Sequence, residues 1–219
     1  MADFEKSFTH RITLLRHGES SGNVNGVYQG RAEFDLTDKG RTQSRSLAAY
    51  WQQEEVNFDQ IISSPQSRAR QTAEILAKSL SVPLEFDDNW REIDNGVLAG
   101  KTLDEVKQNH PTPDFRSPFV SIGETGESNW DLYLRAGAVV QNLVHRPPGS
   151  YLVVSHGGFL NRVLYVMLGI IPQVNFRGAR FHFQNTSFAV VYYDPKRHIW
   201  LLDRLNDRSH LIDSNRKQA

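Results

Sequence analysis

His17 and His156 are each followed by glycine and each preceded by a short apolar run. Ile12-Thr13-Leu14-Leu15 leads into Arg16-His17-Gly18, and Tyr151-Leu152-Val153-Val154 leads into Ser155-His156-Gly157-Gly158. Imidazole titrates near neutrality, so it can act as a nucleophile, base or acid at physiological pH. Runs of about four β-branched and aliphatic residues predict buried parallel strands. Open α/β sheets bind ligands outside the carboxyl ends of such strands. Glycine after each histidine lets the backbone turn sharply and come close to a ligand. The two segments therefore predict a two-histidine site at one end of a sheet.

The rest of the chain supplies elements that could hold it. A polar stretch from Glu19 to Asp35 follows the first strand, and Thr37 opens a helix to about Glu54 with Leu47, Ala48 and Trp51 on one face. Phe58–Ile62 reads as a strand. Ser64-Pro65 reads as a helix N-cap with proline at the first helical position, and Ala69, Thr72, Ala73, Leu76 and Leu80 then recur at helical spacing. A short strand over Leu84–Phe86, a short helix over Thr102–Asn109 and a proline-containing loop from His110 to Gly126 come next. From Ser128, the positions Leu132, Ala136, Val139, Val140, Leu143 and Val144 trace an amphipathic helix that Pro147-Pro148-Gly149 ends. Gly157–Leu168 is helical in pattern. Phe181–Phe183, Ser187–Tyr193 and Ile199–Leu202 read as closing strands, with a turn at Asp194-Pro195 and a frayed tail after Arg208. Alternating strands and helices predict an α/β fold, and 219 residues fit one domain, with a core over about residues 12–205.

Composition narrows the function. Lysine plus arginine and aspartate plus glutamate both number 25, so the formal net charge is zero; this argues against a nucleic-acid-coating protein, and any cationic site must be local. The absence of cysteine excludes disulfides, thiolate metal sites and a cysteine nucleophile, and suits a cytoplasmic location. Met1 to Thr9 lacks an apolar core, so no signal peptide is expected. Ser155, His156, Asn161 and Arg162 interrupt the apolar stretch from Tyr151 to Ile171, which argues against a membrane span. No repeat of fixed period is present. An oligomeric state leaves no signature here.

Four segments, in order, resemble the motifs of the histidine phosphatase superfamily, the phosphoglycerate mutase-like group. They are Arg16-His17-Gly18-Glu19-Ser20 with Asn23; Ser63 to Ala73 with Arg68; Arg91-Glu92-Ile93-Asp94; and Val154-Ser155-His156-Gly157-Gly158. The resemblance implies a three-layer α/β/α fold with a mostly parallel central sheet. It implies His17 as the nucleophile that forms a phosphohistidine, and Arg16 and Arg68 as planar forks for phosphoryl oxygens. His156, if protonated, would add a third cationic donor. Glu92 would be the general acid that protonates the leaving alkoxide and later the base acting on water. Asn23, Gln29, Gly30 and Gly157 are the matching phosphate or substrate contacts. Neither a cofactor nor a metal is implied. Composition alone does not separate Arg68 from Arg70, or Glu92 from Asp87, Asp88, Asp94 and Glu105.

The Gly96–Thr102 segment imitates a phosphate-binding P-loop but has three rather than four residues between its glycines, with no apolar strand before it. The remaining histidines show no metal-ligand spacing. The resemblance thus predicts a metal-independent, histidine acid phosphatase-like phosphomonoesterase acting on a small phosphorylated metabolite. The alternatives are a cofactor-dependent phosphoglycerate mutase or a non-catalytic phospho-ligand binding protein. Mutases of this type carry a longer, basic insertion after the acid motif; His110 to Gly126 is short, with Arg116 as its cation. Readers of the leaving group are sought in that loop, with Phe115, Arg116 and Phe119, in Val97 to Ala99, and in Asn175 to Arg180.

Overall fold

The computed structural model describes residues 8–111 and 113–211. Six strands, β1 (His10–Arg16), β2 (Gln60–Ser63), β3 (Leu84–Phe86), β4 (Gly149–Ser155), β5 (Phe188–Asp194) and β6 (Ile199–Asp207), form one sheet in the order β3-β2-β4-β1-β5-β6. Neighbours among β1 to β4 pair in parallel, and β5 runs antiparallel to both β1 and β6. The sheet is therefore mostly parallel. Its principal helices are α1 (Asp38–Gln53), α2 (Ser67–Leu80), α3 (Leu103–Asn109), α4 (Asn129–Val144) and α5 (Gly157–Met167).

Both faces of the central strands are covered, which explains their near-continuous apolar sequence. Ile12, Leu14, Tyr151 and Val153 pack with Leu132, Val139, Phe159 and Leu160 of α4 and α5. Leu15, Leu152 and Val154 pack on the other face with Leu47, Trp51, Ala69 and Leu76 of α1 and α2. Trp51 fills this second layer against Phe58 and Phe188, with ring centroids 5.0 and 5.5 Å away. Each fully buried aliphatic side chain contributes about 1.5–3 kcal/mol relative to exposure. The three layers expected from the resemblance are present. Among the described residues no helix is long and apolar enough to cross a membrane.

Helix starts follow local chemistry in most cases. Thr37 caps α1 by accepting the Gly40 amide at 3.0 Å, and capping boxes open α3 (Thr102 with Glu105) and α4 (Ser128 with Asp131). The start of α2 differs from expectation. Ser64 and Pro65 remain outside the helix, and the N-cap residue is Gln66, without a side-chain cap. Ser64 instead engages His156, and the Ser67 amide donates to Glu33 Oε2 at 2.7 Å.

Three further expectations are corrected near the end of the chain. Phe181–Phe183 is not a strand: Asn161 hydrogen-bonds both the amide and carbonyl of Phe181, and Arg16 takes the Phe183 carbonyl. The apolar pattern there reflects the burial of Phe183. β6 extends five residues beyond the expected Leu202, to Asp207, as an antiparallel edge with shifts in its register to β5. Of the tail expected to fray, Ser209–Leu211 forms a helical turn whose His210 Nε2 lies 2.9 Å from Thr186 Oγ1; residues 212–219 lie outside the described residues, as do 1–7. Gly96–Leu98, within the P-loop look-alike, is a 3-10 turn packed against Gly123.

α1 meets the loop after β1 almost backbone to backbone. A Cβ on Gly18 would stand 2.7 Å from the Gly40 carbonyl oxygen, and one on Gly40 would stand 2.0 Å from the Glu19 carbonyl oxygen. Neither atom can move without moving main chain. Gly40→Ala should therefore destabilise the protein by about 2–3 kcal/mol, the upper range for overpacking, read as a lower urea midpoint at unchanged m-value.

Candidate active site

The in-register pairing of Arg16 with Ser155 at the ends of β1 and β4 brings the two histidines together. The His17 amide donates to the Ser155 carbonyl at 3.0 Å, and the imidazole centroids of His17 and His156 are 5.2 Å apart. His17 is 3% exposed. Its Nδ1 lies 2.7 Å from its neighbour Gly18's carbonyl oxygen, which can only accept, so Nδ1 carries the proton and Nε2 presents a lone pair. Burial, with Arg68 and Arg16 adding to it, holds the His17 pKa well below 6.5. Thr72 Oγ1 accepts the Gly18 amide at 3.0 Å and fixes the turn.

Two guanidinium groups flank the rings. Arg68, 1% exposed, donates from its terminal nitrogens to the carbonyls of Ala32 at 2.9 Å and Gly30 at 2.8 Å. Arg16 donates from Nη1 to the Phe183 carbonyl at 2.7 Å. Burial lowers the Arg68 pKa to about 10 against the pull of Glu92 and Glu33, so the group is still charged at neutral pH. His156 is fully buried, with Nε2 2.9 Å from Ser64 Oγ. Burial, followed by Arg68, His17, Arg16 and Arg135, lowers its proton affinity strongly. Of the two states left open for it, the protonated third cation and the neutral ring, this burial favours the neutral ring. Nε of Arg16, Nε of Arg68 and Nδ1 of His156 are all buried without a protein hydrogen-bond partner. Buried polar nitrogens are normally satisfied, and three such atoms beside one imidazole define a place for an anion.

Glu92 is held where it can act. Its carboxylate accepts the Phe159 amide at 2.8 Å and the Ile93 amide at 3.0 Å on Oε1, and the Gly158 amide at 3.1 Å on Oε2. It thus caps α5, whose own N-cap residue, His156, supplies no side-chain cap. A Cβ on Gly158 would stand 2.7 Å from Glu92 Oε1. Arg135, bidentate to Glu127 at 2.7 and 2.8 Å, stacks 4.1 Å over the Phe159 ring and donates to the carbonyls of Asn89 and Arg91, so the acidic loop is clamped from behind.

Arg16, His17, Arg68 and Glu92 line a cleft of about 360 Å³, together with Asn23, Gln29 and Gly30. Asn23 Oδ1 accepts from Ser20 and from Asn185 Nδ2, and Gln29 Oε1 accepts from Ser20 Oγ. Gly30, at φ +47°, gives its carbonyl to Arg68 and to Gln66 Nε2. His156 and Gly157 do not line the cleft: His156 is fully buried beside His17, and Gly157 starts α5 beside the Arg16 side chain, 3.5 Å from where its Cβ would be.

Sequence reasoning missed Gln66. This buried side chain donates to the Gly30 carbonyl and accepts the Glu92 amide at 2.7 Å, joining the two loops that carry Arg68's anchor and the acid. Its place inside the second motif was the available signal. Also missed were Val27, Tyr28, Ile93, Asn95 and Leu103, which complete the cleft wall. Val27 and Tyr28 meet residues 101 and 102 through a short antiparallel bridge. The expected leaving-group readers stand elsewhere: Leu98, Phe115 and Arg116 line a separate cavity of about 540 Å³, and Arg177 and Arg180 line another of about 210 Å³. Among the described residues no group of three or more histidines and carboxylates could hold a metal ion.

The model of the histidine phosphatase superfamily (branch 1) matches residues 12–208. A probable phosphoglycerate mutase, GpmB, of Escherichia coli is 30% identical over 214 residues, covering 92% of this chain and 94% of that protein. Among solved structures, YhfR of Bacillus stearothermophilus superposes with a TM-score of 0.78 at 29% identity, covering 92% of this chain and 98% of that one. A phosphoserine phosphatase mutant of Entamoeba histolytica, in complex with phosphoserine, gives 0.73 at 26% identity, with 93% and 100% covered. The motifs in register at one end of the sheet and the match along nearly the whole chain have one meaning: this protein belongs to the histidine phosphatase superfamily.

Proposed function

We propose that the cleft hydrolyses small phosphomonoesters through a phosphohistidine on His17, as an acid phosphatase-like enzyme. The observation that carries the reading is the trio of buried, unpartnered nitrogens on Arg16, Arg68 and His156 around an imidazole whose Nε2 is unprotonated. A phosphoryl group beside them meets the charges of two arginines that the fold already holds in place, which is how charge developing in phosphoryl transfer is stabilised. In the tautomer where Ser64 Oγ donates to His156 Nε2, the His156 proton sits on Nδ1 as a third, neutral donor. In the first step the Nε2 lone pair forms a bond to phosphorus, the ester P–O bond breaks, and protonated Glu92 gives its proton to the leaving oxygen. In the second, Glu92 takes a proton from water, whose oxygen displaces His17 from phosphorus and yields inorganic phosphate.

Substrates are small phosphate esters, with the leaving group resting against Val27, Tyr28 and Leu103. A mutase is the second reading, and the name of the Escherichia coli relative favours it. A mutase must keep water from its phosphohistidine. The loop from His110 to Glu124 lines a different cavity, and Tyr28 and Leu103 at the cleft rim are 37% and 49% exposed. An open rim supports hydrolysis.

The decisive assay is phosphate release from a panel of monoesters in the presence of a chelator, with 3-phosphoglycerate and its bisphosphate primer included. The expected result is release that disappears in His17→Ala, together with an acid-labile, base-stable phosphoprotein in quenched wild-type enzyme. Isomerisation of phosphoglycerate without net release would make it a mutase.

Glu92→Gln should lower kcat on alkyl phosphates by about 10²–10⁴-fold, the range for general acid catalysis. In the single-turnover burst, which precedes the base step common to all substrates, the loss should be far smaller on p-nitrophenyl phosphate, whose leaving group needs no proton, and equal burst losses on both would remove Glu92 from the acid role.

Acidity bears on the buried histidines through stability before it bears on activity. With its pKa well below 6.5, His17 stays unprotonated as pH falls through 6.5, so kcat/KM should not show the acid limb of an ordinary imidazole there. His17 and His156 bind protons less readily folded than unfolded. His210, its pKa lowered to about 4 chiefly by burial, does the same. Their contribution to stability is complete above pH 6.5 and is lost progressively as pH falls toward the folded values. Urea midpoints measured between pH 7.5 and 5 should decline, less steeply in His156→Asn.

A further inference from the structure

A second cationic pocket lies one helical turn beyond the acid. It has a volume of about 210 Å³, and Arg162 and Tyr165 of α5, Asn129 at the start of α4, and Arg177 and Arg180 of the loop after α5 line it. No carboxylate lines it, and among the described residues none of the three arginines forms an ion pair. In a chain of zero formal net charge, three guanidinium groups around a cavity without a counter-charge repel one another. Arg180 indeed opposes the charge on Arg162, and burial does so more strongly.

The pocket is built rather than incidental. Arg162 is half-buried, and its Nε donates to the buried Asn129 Oδ1 at 2.6 Å while its guanidinium carbon sits 4.9 Å over the Tyr165 ring. The Tyr165 hydroxyl donates to the Ala179 carbonyl, tying the loop to the helix. Asn175 and Phe176 hold left-handed backbone, with φ of 56° and 51°, in the turn that delivers Arg177 and Arg180. This arrangement leaves the terminal nitrogens of Arg162 to a ligand; a guanidinium fork matches the oxygens of a carboxylate or phosphate.

Its position relative to the cleft is fixed by α5. The Gly158 and Phe159 amides hold Glu92, and Arg162 follows them by four and three residues, roughly 5–6 Å along the axis and on the same side of the helix. Long side chains on a helix lean toward its N-terminus, here toward Glu92, and Glu92 is the carboxylate whose charge reaches Arg162. Phe181 and Phe183 continue the loop from Arg180 to the carbonyl that anchors Arg16.

We propose that this pocket is a second anion subsite, receiving a carboxylate or phosphate borne on the far end of the ester whose phosphoryl group lies at His17. The inference rests on the phosphomonoesterase reading and adds a substrate class to it: compact monoesters with a second anionic group a few atoms from the first.

Matched ligands that differ in that group test it: 3-phosphoglycerate against glycerol 3-phosphate, and fructose 1,6-bisphosphate against fructose 6-phosphate. Affinities are measured by calorimetry in His17→Ala, which cannot turn over, with and without Arg177→Gln/Arg180→Gln on the exposed loop. Steady-state kcat/KM for the same pairs is measured in proteins that retain His17. In at least one pair the ligand with the extra anion should bind about tenfold tighter or better, and the double substitution should erase that preference in both assays. Turnover without any such preference overturns the inference and leaves the phosphatase reading intact. A preference in calorimetry with no turnover of any ester supports the subsite and removes the hydrolase. Inorganic phosphate titrating a second site, with no preference within the pairs, would mean a separate anion site and would overturn the shared ligand.

Discussion

Two positive charges largely shielded from water organise this end of the sheet. Burying a cation is costly unless it is hydrogen-bonded and paired, and Arg16 and Arg68 are satisfied only in part. The carbonyls of Phe183, Gly30 and Ala32 take their terminal nitrogens. Glu92 is the main source of opposing charge, and the histidines between them stay neutral because a further proton would find no compensation. The paths of the loops around residues 30, 92 and 183 follow from these demands. What the protein leaves unpartnered, the Nε atoms of both arginines, is what the proposed phosphoryl site would use.

Glu92 shows how little of the machinery serves one purpose. Its carboxylate satisfies amides at the start of α5, so the proposed acid is fixed by the same bonds that terminate the helix. Gln66 uses both ends of its amide, one on the Gly30 carbonyl and one on the Glu92 amide. The Arg68 anchor and the acid therefore move together or not at all. A site held by shared bonds needs few residues and tolerates few changes.

Much of this was legible in the sequence because it is local. Apolar runs ending in His-Gly marked β1 and β4, helical spacing marked α1, α2 and α4, and Thr102 and Ser128 marked the starts of α3 and α4. The failures share a physical cause. Ser64 looks like a helix cap, but its hydroxyl is drawn to a histidine 92 residues away. Phe181–Phe183 alternates like a strand, but side chains from α5 and β1 take its backbone bonds. Arg177 and Arg180 were sought as readers of the leaving group, but nothing local says that they meet Arg162 in a pocket of their own. The charge state of His156 was left open by the sequence for the same reason, since burial and distant arginines determine it.

The strand order has a consequence during synthesis. β1 lies between β4 and β5, and Arg11 is 139 residues from its neighbour Ser150. At about 5–20 residues per second, the first strand waits about 7–28 s for its earliest partner. Throughout that interval Ile12-Thr13-Leu14-Leu15 is an unpaired, β-prone segment of the kind that self-associates. Arg11 and Arg16 bracket it, and charges at the flanks of such a run act as gatekeepers against aggregation. The arginine beside His17 thus flanks a β-prone run in the nascent chain long before the two histidines can meet.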